Sequence, residues 1–175
     1  MSVVKQLFAL GLLVSPCAVA TAAPESTGAS VDVTFTDPDK YIDAKPHERG
    51  TKERDAALVK LRQHLEKQSA RFLKPDQKLQ IEVLDIDLAG RVDWWNPQAY
   101  DIRVMRDIDS PSMKVRYTLT ENGAVLASGE ERISDLGYLQ NITGTASSND
   151  PLKYDKAMLT DWFRKRFAKF GGSAD

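Results

Sequence analysis

Cysteine occurs once in the 175 residues, at Cys17, and histidine only twice, at His47 and His64. A lone thiol cannot close an internal disulfide, and cysteine-rich metal sites are excluded with it. The two histidines form neither an H-x-x-x-H nor an H-E-x-x-H motif, and there is no EF-hand loop. A G-x-S-x-G elbow and an S-x-x-K pair are missing too, so no local signature of nucleophilic catalysis is present. Neither sign of charge dominates: 24 Lys and Arg face 25 Asp and Glu, for a net charge of −1. That balance offers no generic attraction to nucleic acid. The apolar run Leu7–Val14 falls short of the ~18–20 residues that span hydrocarbon.

What is present begins with an export pattern. Lys5 supplies a positive start, Leu7–Val14 an apolar stretch, and Ala20-Thr21-Ala22 the small residues that signal peptidase reads. Cleavage is expected after Ala22, because cutting after Ala23 would set Pro24 directly past the scissile bond. Val14-Ser15-Pro16-Cys17 matches a lipoprotein box only in part, since proline stands where glycine or alanine is wanted. Cys17 is therefore read as part of the discarded peptide, with lipidation as the alternative. The expected organisation is a signal peptide at 1–22, a flexible leader at 23–30, one domain at 31–170 and a disordered tail at 171–175.

Val31, Val33 and Phe35 alternate with polar residues, predicting a strand with one buried face. A long charged loop, Asp37–Gly50, follows. A helix is predicted from a Thr51 cap to about Leu73, with Leu58, Leu61, Leu65 and Phe72 on one face. His64, beside Gln63 and Leu65, reads as a surface histidine. In the strand 78–88 the apolar phase changes, which a bulge near Val83–Leu84 would accommodate while turning Asp85 and Asp87 outward. Residues 91–98 read as a connection carrying two tryptophans, and Tyr100–Met105 as a short strand. Asn122-Gly123 predicts a type I′ hairpin turn, pairing Leu119 with Leu126 and Lys114 with Glu131, with a bulge at Gly129. After a second polar loop at 136–150, Asp150-Pro151 predicts the start of a last helix. Its stripe is Leu152, Leu159, Phe163, Phe167 and Phe170.

The fold expected is α+β: an about five-stranded, mostly antiparallel sheet with two helices packed on one face, in the order β-α-β-β-β-β-α. If the first two strands are parallel neighbours, the intervening helix is a crossover.

Candidate chemistry is sparse. Asp85 and Asp87 share one side of a strand and offer a carboxylate pair for a cation or for acid–base work, although outward aspartates on a sheet are usually just solvated. His47, next to Glu48, is the better-placed candidate base. Trp94-Trp95 cannot both enter one core from an extended backbone, so one is a candidate to present an aromatic face to a sugar or protein, although the commoner arrangement has one plugging the open end of the sheet and the other lying under a loop. The cations Arg164, Lys165, Arg166 and Lys169 near the chain's end are read as complements to a helix dipole.

Several stretches together carry a family resemblance: Val33-Thr34-Phe35-Thr36-Asp37-Pro38 with Lys40-Tyr41, Asp85-Ile86-Asp87-Leu88-Ala89-Gly90, Ile102-Arg103-Val104, Tyr117-Thr118-Leu119, Ser128-Gly129-Glu130, and Asp150-Pro151-Leu152-Lys153-Tyr154-Asp155-Lys156 with Trp162-Phe163. The chain resembles the bacterial exported proteins grouped as domain of unknown function 3016. The resemblance implies export and a single domain and brings no activity, ligand or catalytic residue with it. Polar residues within these stretches are the candidate binding residues: Asp37, Tyr41, Asp85, Asp87, Arg103 and Asp155, beside Trp94 and Trp95. Arg103 can equally be an ion-pair partner for Asp85 or Asp87. No cofactor and no metal is expected. The expected function is a non-catalytic periplasmic binding or envelope-assembly module contacting an envelope protein or glycan, with no nucleic acid partner. The alternative is a small hydrolase or metal-dependent enzyme using Asp85, Asp87 and His47.

Overall fold

The computed structural model describes residues 29–43, 50–93, 103–140 and 149–171. They form β1 (Ser30–Phe35), α1 (Gly50–Phe72), β2 (Gln77–Asp87), β3 (Arg91–Val92), β4 (Arg103–Val104), β5 (Ser112–Glu121), β6 (Ala124–Ser134) and α2 (Lys153–Phe167). This is the α+β class predicted, with one strand more after the first helix than the order expected. Among the described residues, no helix is long and apolar enough to cross a membrane.

The five-stranded sheet is corrected. Four strands form one sheet in the order β1-β2-β5-β6, while among the described residues β3 and β4 pair only with each other. Gly90, at φ +75, turns the chain out of β2, and Arg91–Val92, read as connection, become the partner of Arg103–Val104. A side chain at Gly90 would place its Cβ 2.6 Å from the Val104 carbonyl oxygen. Glycine therefore serves two needs there, a left-handed backbone and a close approach.

β1 runs parallel to β2, from Ser30 opposite Lys78 to Phe35 opposite Val83, so α1 is the crossover between them. The β2–β5 and β5–β6 pairs are antiparallel. The predicted bulge in β2 is present: Val83 faces Val115 and Asp85 faces Lys114, leaving Leu84 as the extra residue. The hairpin turn also follows its chemistry, with Asn122 at φ 50 and Gly123 at φ 83. Its register does not. The bulge lies at Leu126 instead of Gly129, so Leu119 faces Ala127 and Lys114 faces Arg132. Placed beside the turn, the bulge resets the face early and leaves Leu126 37% exposed.

Both helices cover one face of the sheet. Leu61 and Leu65 of α1 and Met158, Leu159, Trp162, Phe163 and Phe167 of α2 join Val33, Leu79, Ile81, Val83, Ile86, Met113, Val115, Tyr117, Leu119 and Ile133 in one core. Leu58, Phe72 and Phe170 pack at its margin. Trp162, outside the predicted stripe, meets Tyr117, Phe163 and Phe167 edge-on at 5.2–6.0 Å.

Helix ends differ in detail. The Asp150 carboxylate accepts the Leu152 N–H at 3.0 Å, but helical structure begins only at Lys153, because Pro151 and Leu152 form a turn first. α2 stops at Phe167, three residues before Phe170. His64 is no solvated surface residue. Its ring lies between the helices, 3.0 Å from the Thr160 hydroxyl and 3.3 Å from the Gln68 amide. Burial, aided by Lys156, lowers its pKa to about 4 and keeps it neutral. Most of the cations near the end of α2 are paired: Arg164 and Lys165 with Asp161, and Arg166 with Glu131.

Candidate functional site

The face of the sheet turned away from the helices carries charge in rows. Thr34, Glu82, Arg116 and Glu130 stand side by side across the four strands. Arg116 pairs with Glu82 at 2.6 Å and with Glu130 at 2.8 Å, and the Thr36 hydroxyl donates to Glu82 at 2.8 Å. These groups are exposed, so each pair contributes little.

The end of β2 is different. Beyond the bulge, the segment 41–43 folds back alongside the strand. The Tyr41 hydroxyl donates to the Val83 carbonyl at 2.9 Å, the Ile42 N–H to the Asp85 carboxylate at 3.1 Å, and the Asp43 N–H to the Ile86 carbonyl at 3.2 Å. Asp85 also accepts from Arg132 at 3.3 Å. Asp85 does lie on the outward face, yet its side chain is only 17% exposed. The solvated carboxylate pair expected there is corrected: the bulge turns Asp85 away from the helices, and the folded-back segment covers it.

Arg103 is the hub of this junction. Its guanidinium donates to the Gly90 carbonyl at 2.7 Å and the Ala89 carbonyl at 3.4 Å, and it pairs with Asp43 at 2.7 Å. The ion-pair reading of Arg103 holds in kind, but its partner is Asp43 and not Asp85 or Asp87. Nothing in the sequence marks Asp43 except its position two residues past Tyr41. Asp155, in the first turn of α2, reaches the same point from below. One of its oxygens accepts the Ala89 N–H at 3.1 Å, and the other, also buried, has no partner among the described residues.

Burial governs the electrostatics. Desolvation raises the Asp155 carboxyl to about 7, against the Ala89 N–H, which favours the charged form. Asp43 is raised by burial despite the opposing guanidinium of Arg103. Asp87 is raised by burial and further by the neighbouring Asp43 carboxylate. The Tyr41 phenol is pushed up to about 12, first by burial and then by Asp85 and Asp37. Asp37 itself stands at φ 50 at the head of the 3₁₀ turn Pro38–Lys40, exposed and paired with Lys40 at 2.7 Å. A second set of charges clasps the small ladder: Arg106 pairs with Asp93, Arg91 with Asp109 at 3.2 Å, and the Tyr138 hydroxyl donates to the Arg106 carbonyl at 2.6 Å.

Five of the candidate residues thus converge on the end of β2: Tyr41, Asp85, Asp87, Arg103 and Asp155. Asp37 stays at the rim. Trp94, Trp95 and His47 lie outside the described residues, the tryptophans in the chain between β3 and β4. Among the described residues, no group of three or more His, Cys, Asp or Glu side chains is placed to hold a metal ion.

The family described as "Protein of unknown function (DUF3016)" matches residues 29–165. No curated protein matches the chain in sequence. Among solved structures, a PelC dodecamer from Paraburkholderia phytofirmans is similar over 87% of this chain and 96% of that one, at 16% identity and a TM-score of 0.32. A likeness that distant carries no argument for function.

Proposed function

We propose a non-catalytic role for this chain, which belongs to the DUF3016 family: a periplasmic module that binds an envelope protein or glycan through the segment bearing Trp94 and Trp95. The observation supporting this reading is how Arg103 is used. Its guanidinium ties the root of β4 to the Ala89–Gly90 turn and to Asp43, so the two ends of the tryptophan-bearing segment are held at one anchored point. A segment fixed at both ends loses less freedom when it engages a partner, which favours binding. Asp85, the first carboxylate of the competing hydrolase reading, already receives the Ile42 N–H and Arg132 on its two oxygens. A nucleophile, general base or metal ligand needs an oxygen turned toward its substrate or ion. The export pattern in residues 1–22 supports a location outside the cytoplasm.

Crosslinking in intact cells, followed by purification from the periplasmic fraction, tests the proposal. The unmodified chain is expected to start at Ala23 and to carry a defined crosslinked partner. Trp94→Ala and Trp95→Ala should lose that partner while keeping the parent Tm. Retention of the partner by both variants, or an uncut chain in the cytosol, would overturn the reading. A diacylated Cys17 would reassign the chain to the lipoproteins. A hydrolytic activity abolished by Asp87→Asn would replace the binding role with the enzymatic one.

A further inference from the structure

β6 is an edge. Among the described residues it pairs only with β5, over its full length from Ala124 to Ser134. It contains no proline and no lysine, two of the usual guards of a free edge. β1, at the opposite edge, is only six residues long. The helix layer also stands back from β6. Between α2 and the C-terminal half of the strand lies a cleft of about 520 Å³, with Ile133, Met158 and Trp162 along it beside Glu131, Lys165 and Arg166.

From these features we infer that β6 pairs antiparallel with β6 of a second copy of this chain, about a two-fold axis through Glu131. The charge rows select the occupant and the register. On the face away from the helices, one row reads Glu82, Arg116, Glu130 and the next Asp85, Lys114, Arg132, both ending at β6. With the axis at residue 131, Glu130 stands opposite Arg132 of the second copy, twice by symmetry. The acidic end of one row then meets the basic end of the other, and the charged row continues across six strands, three from each copy. Directly opposed unlike charges stabilise a strand pair and like charges oppose it. Shifting the axis by one residue, to Glu130, loses both ion pairs.

The helix-facing side is compatible. Past the Leu126 bulge the residues on that side are Ala127, Gly129, Glu131 and Ile133, and Gly129 of one copy comes opposite Ile133 of the other. The small residue leaves room beside the cleft. Glu131 meets its own image on the axis, but each copy already neutralises it. The Trp162 indole donates to it at 2.9 Å, and Arg166 binds it through two nitrogens. The inference is independent of the Trp94–Trp95 reading.

Two measurements on the full chain decide it. Sedimentation velocity should show the mass shifting from monomer toward dimer as concentration rises, and back toward monomer as salt screens the two ion pairs. A chain that remains monomeric throughout overturns the inference and leaves the edge to a different protein. The register is read with cysteines. Ser128 and Ser134, both exposed, come opposite each other across the proposed axis. Within one strand they lie about 20 Å apart and cannot bond. In a Cys17→Ser background, Ser128→Cys with Ser134→Cys should oxidise to a covalent dimer, whereas Ser128→Cys alone should not. Equal crosslinking by the single variant, or none by the pair in a chain that sediments as a dimer, overturns the stated register. Circular dichroism confirms that each variant keeps the parent fold.

Discussion

The two halves of β2 share a backbone and differ in everything else. Before the bulge, Leu79, Ile81 and Val83 alternate into a dry layer beneath Leu61, Leu65, Phe163 and Phe167. After it, Asp85 and Asp87 face a junction where carbonyls, carboxylates and Arg103 satisfy one another. The first half gains stability from area removed from water, which is non-directional and tolerant of small shifts. The second depends on hydrogen-bond geometry, where a lost partner leaves a buried group unsatisfied. One half holds the sheet to the helices. The other fixes the route of the chain around the site.

The sharpest way to break that comparison is to empty the apolar half. Phe163 is fully buried and touches Phe72, Trp162 and Phe167. Phe163→Ala should cost about 3–5 kcal/mol in urea unfolding, spread over the whole domain. A loss below that of any change at the junction would reverse the assignment of roles.

Arg103→Ala comes next. Removing one member of a buried ion pair costs ~3–5 kcal/mol, and with the Arg103 side chain 25% exposed about 2–3 kcal/mol is expected. The effect should be local. Hydrogen exchange should speed up at residues 41–43 and at β3 and β4, while the β5–β6 hairpin keeps its protection. Uniform loss of protection would mean that the junction and the core are one cooperative unit.

A third test separates the halves by pH. Asp155 has a folded pKa of about 7 against an ordinary value of 3.8, so the folded state holds its proton more tightly than the unfolded chain does. The stabilisation tied to that proton is complete below about pH 4 and is lost as pH rises through about 7. Stability should therefore fall across that window, by on the order of 4 kcal/mol. In Asp155→Asn an amide donor replaces the protonated oxygen, and the slope should flatten, with the variant overtaking the parent above pH 7. Parallel curves for the two proteins would show that Asp155 is not the group titrating.

The smallest expected effect is Tyr41→Phe. It removes the hydroxyl bond to the Val83 carbonyl, which still accepts the Thr36 N–H, so a loss of about 1 kcal/mol is expected in thermal unfolding. A much larger loss would show that Tyr41 alone holds segment 41–43 in place.

Much of the fold could be read directly because its signals are local. A phase change in the apolar alternation of 78–88 favours a bulge over a strand buried on both faces, because burying Asp85 and Asp87 would be costly, and Asn122-Gly123 favours its turn in any hairpin. The stripes through Leu61 and Leu65 and through Leu159, Phe163 and Phe167 need only a helix and an apolar surface. The hairpin register was missed because a bulge at Leu126 or at Gly129 repairs the same alternation. His64 reads as a surface residue because its neighbours in sequence, Gln63 and Leu65, say nothing of the second helix that covers it.

Pattern along the chain thus decided the long strands and helices and which of their faces turn inward, since those follow from periods of two and 3.6 residues. It could not decide that β3 and β4 leave the main sheet, or that Arg103 chooses Asp43. Nor could it decide that Asp155 sits in a dry place with one oxygen unpaired. Those outcomes depend on distances between residues up to 66 positions apart, such as Ala89 and Asp155. Burial and electrostatic partnership exist only once such groups have been brought together.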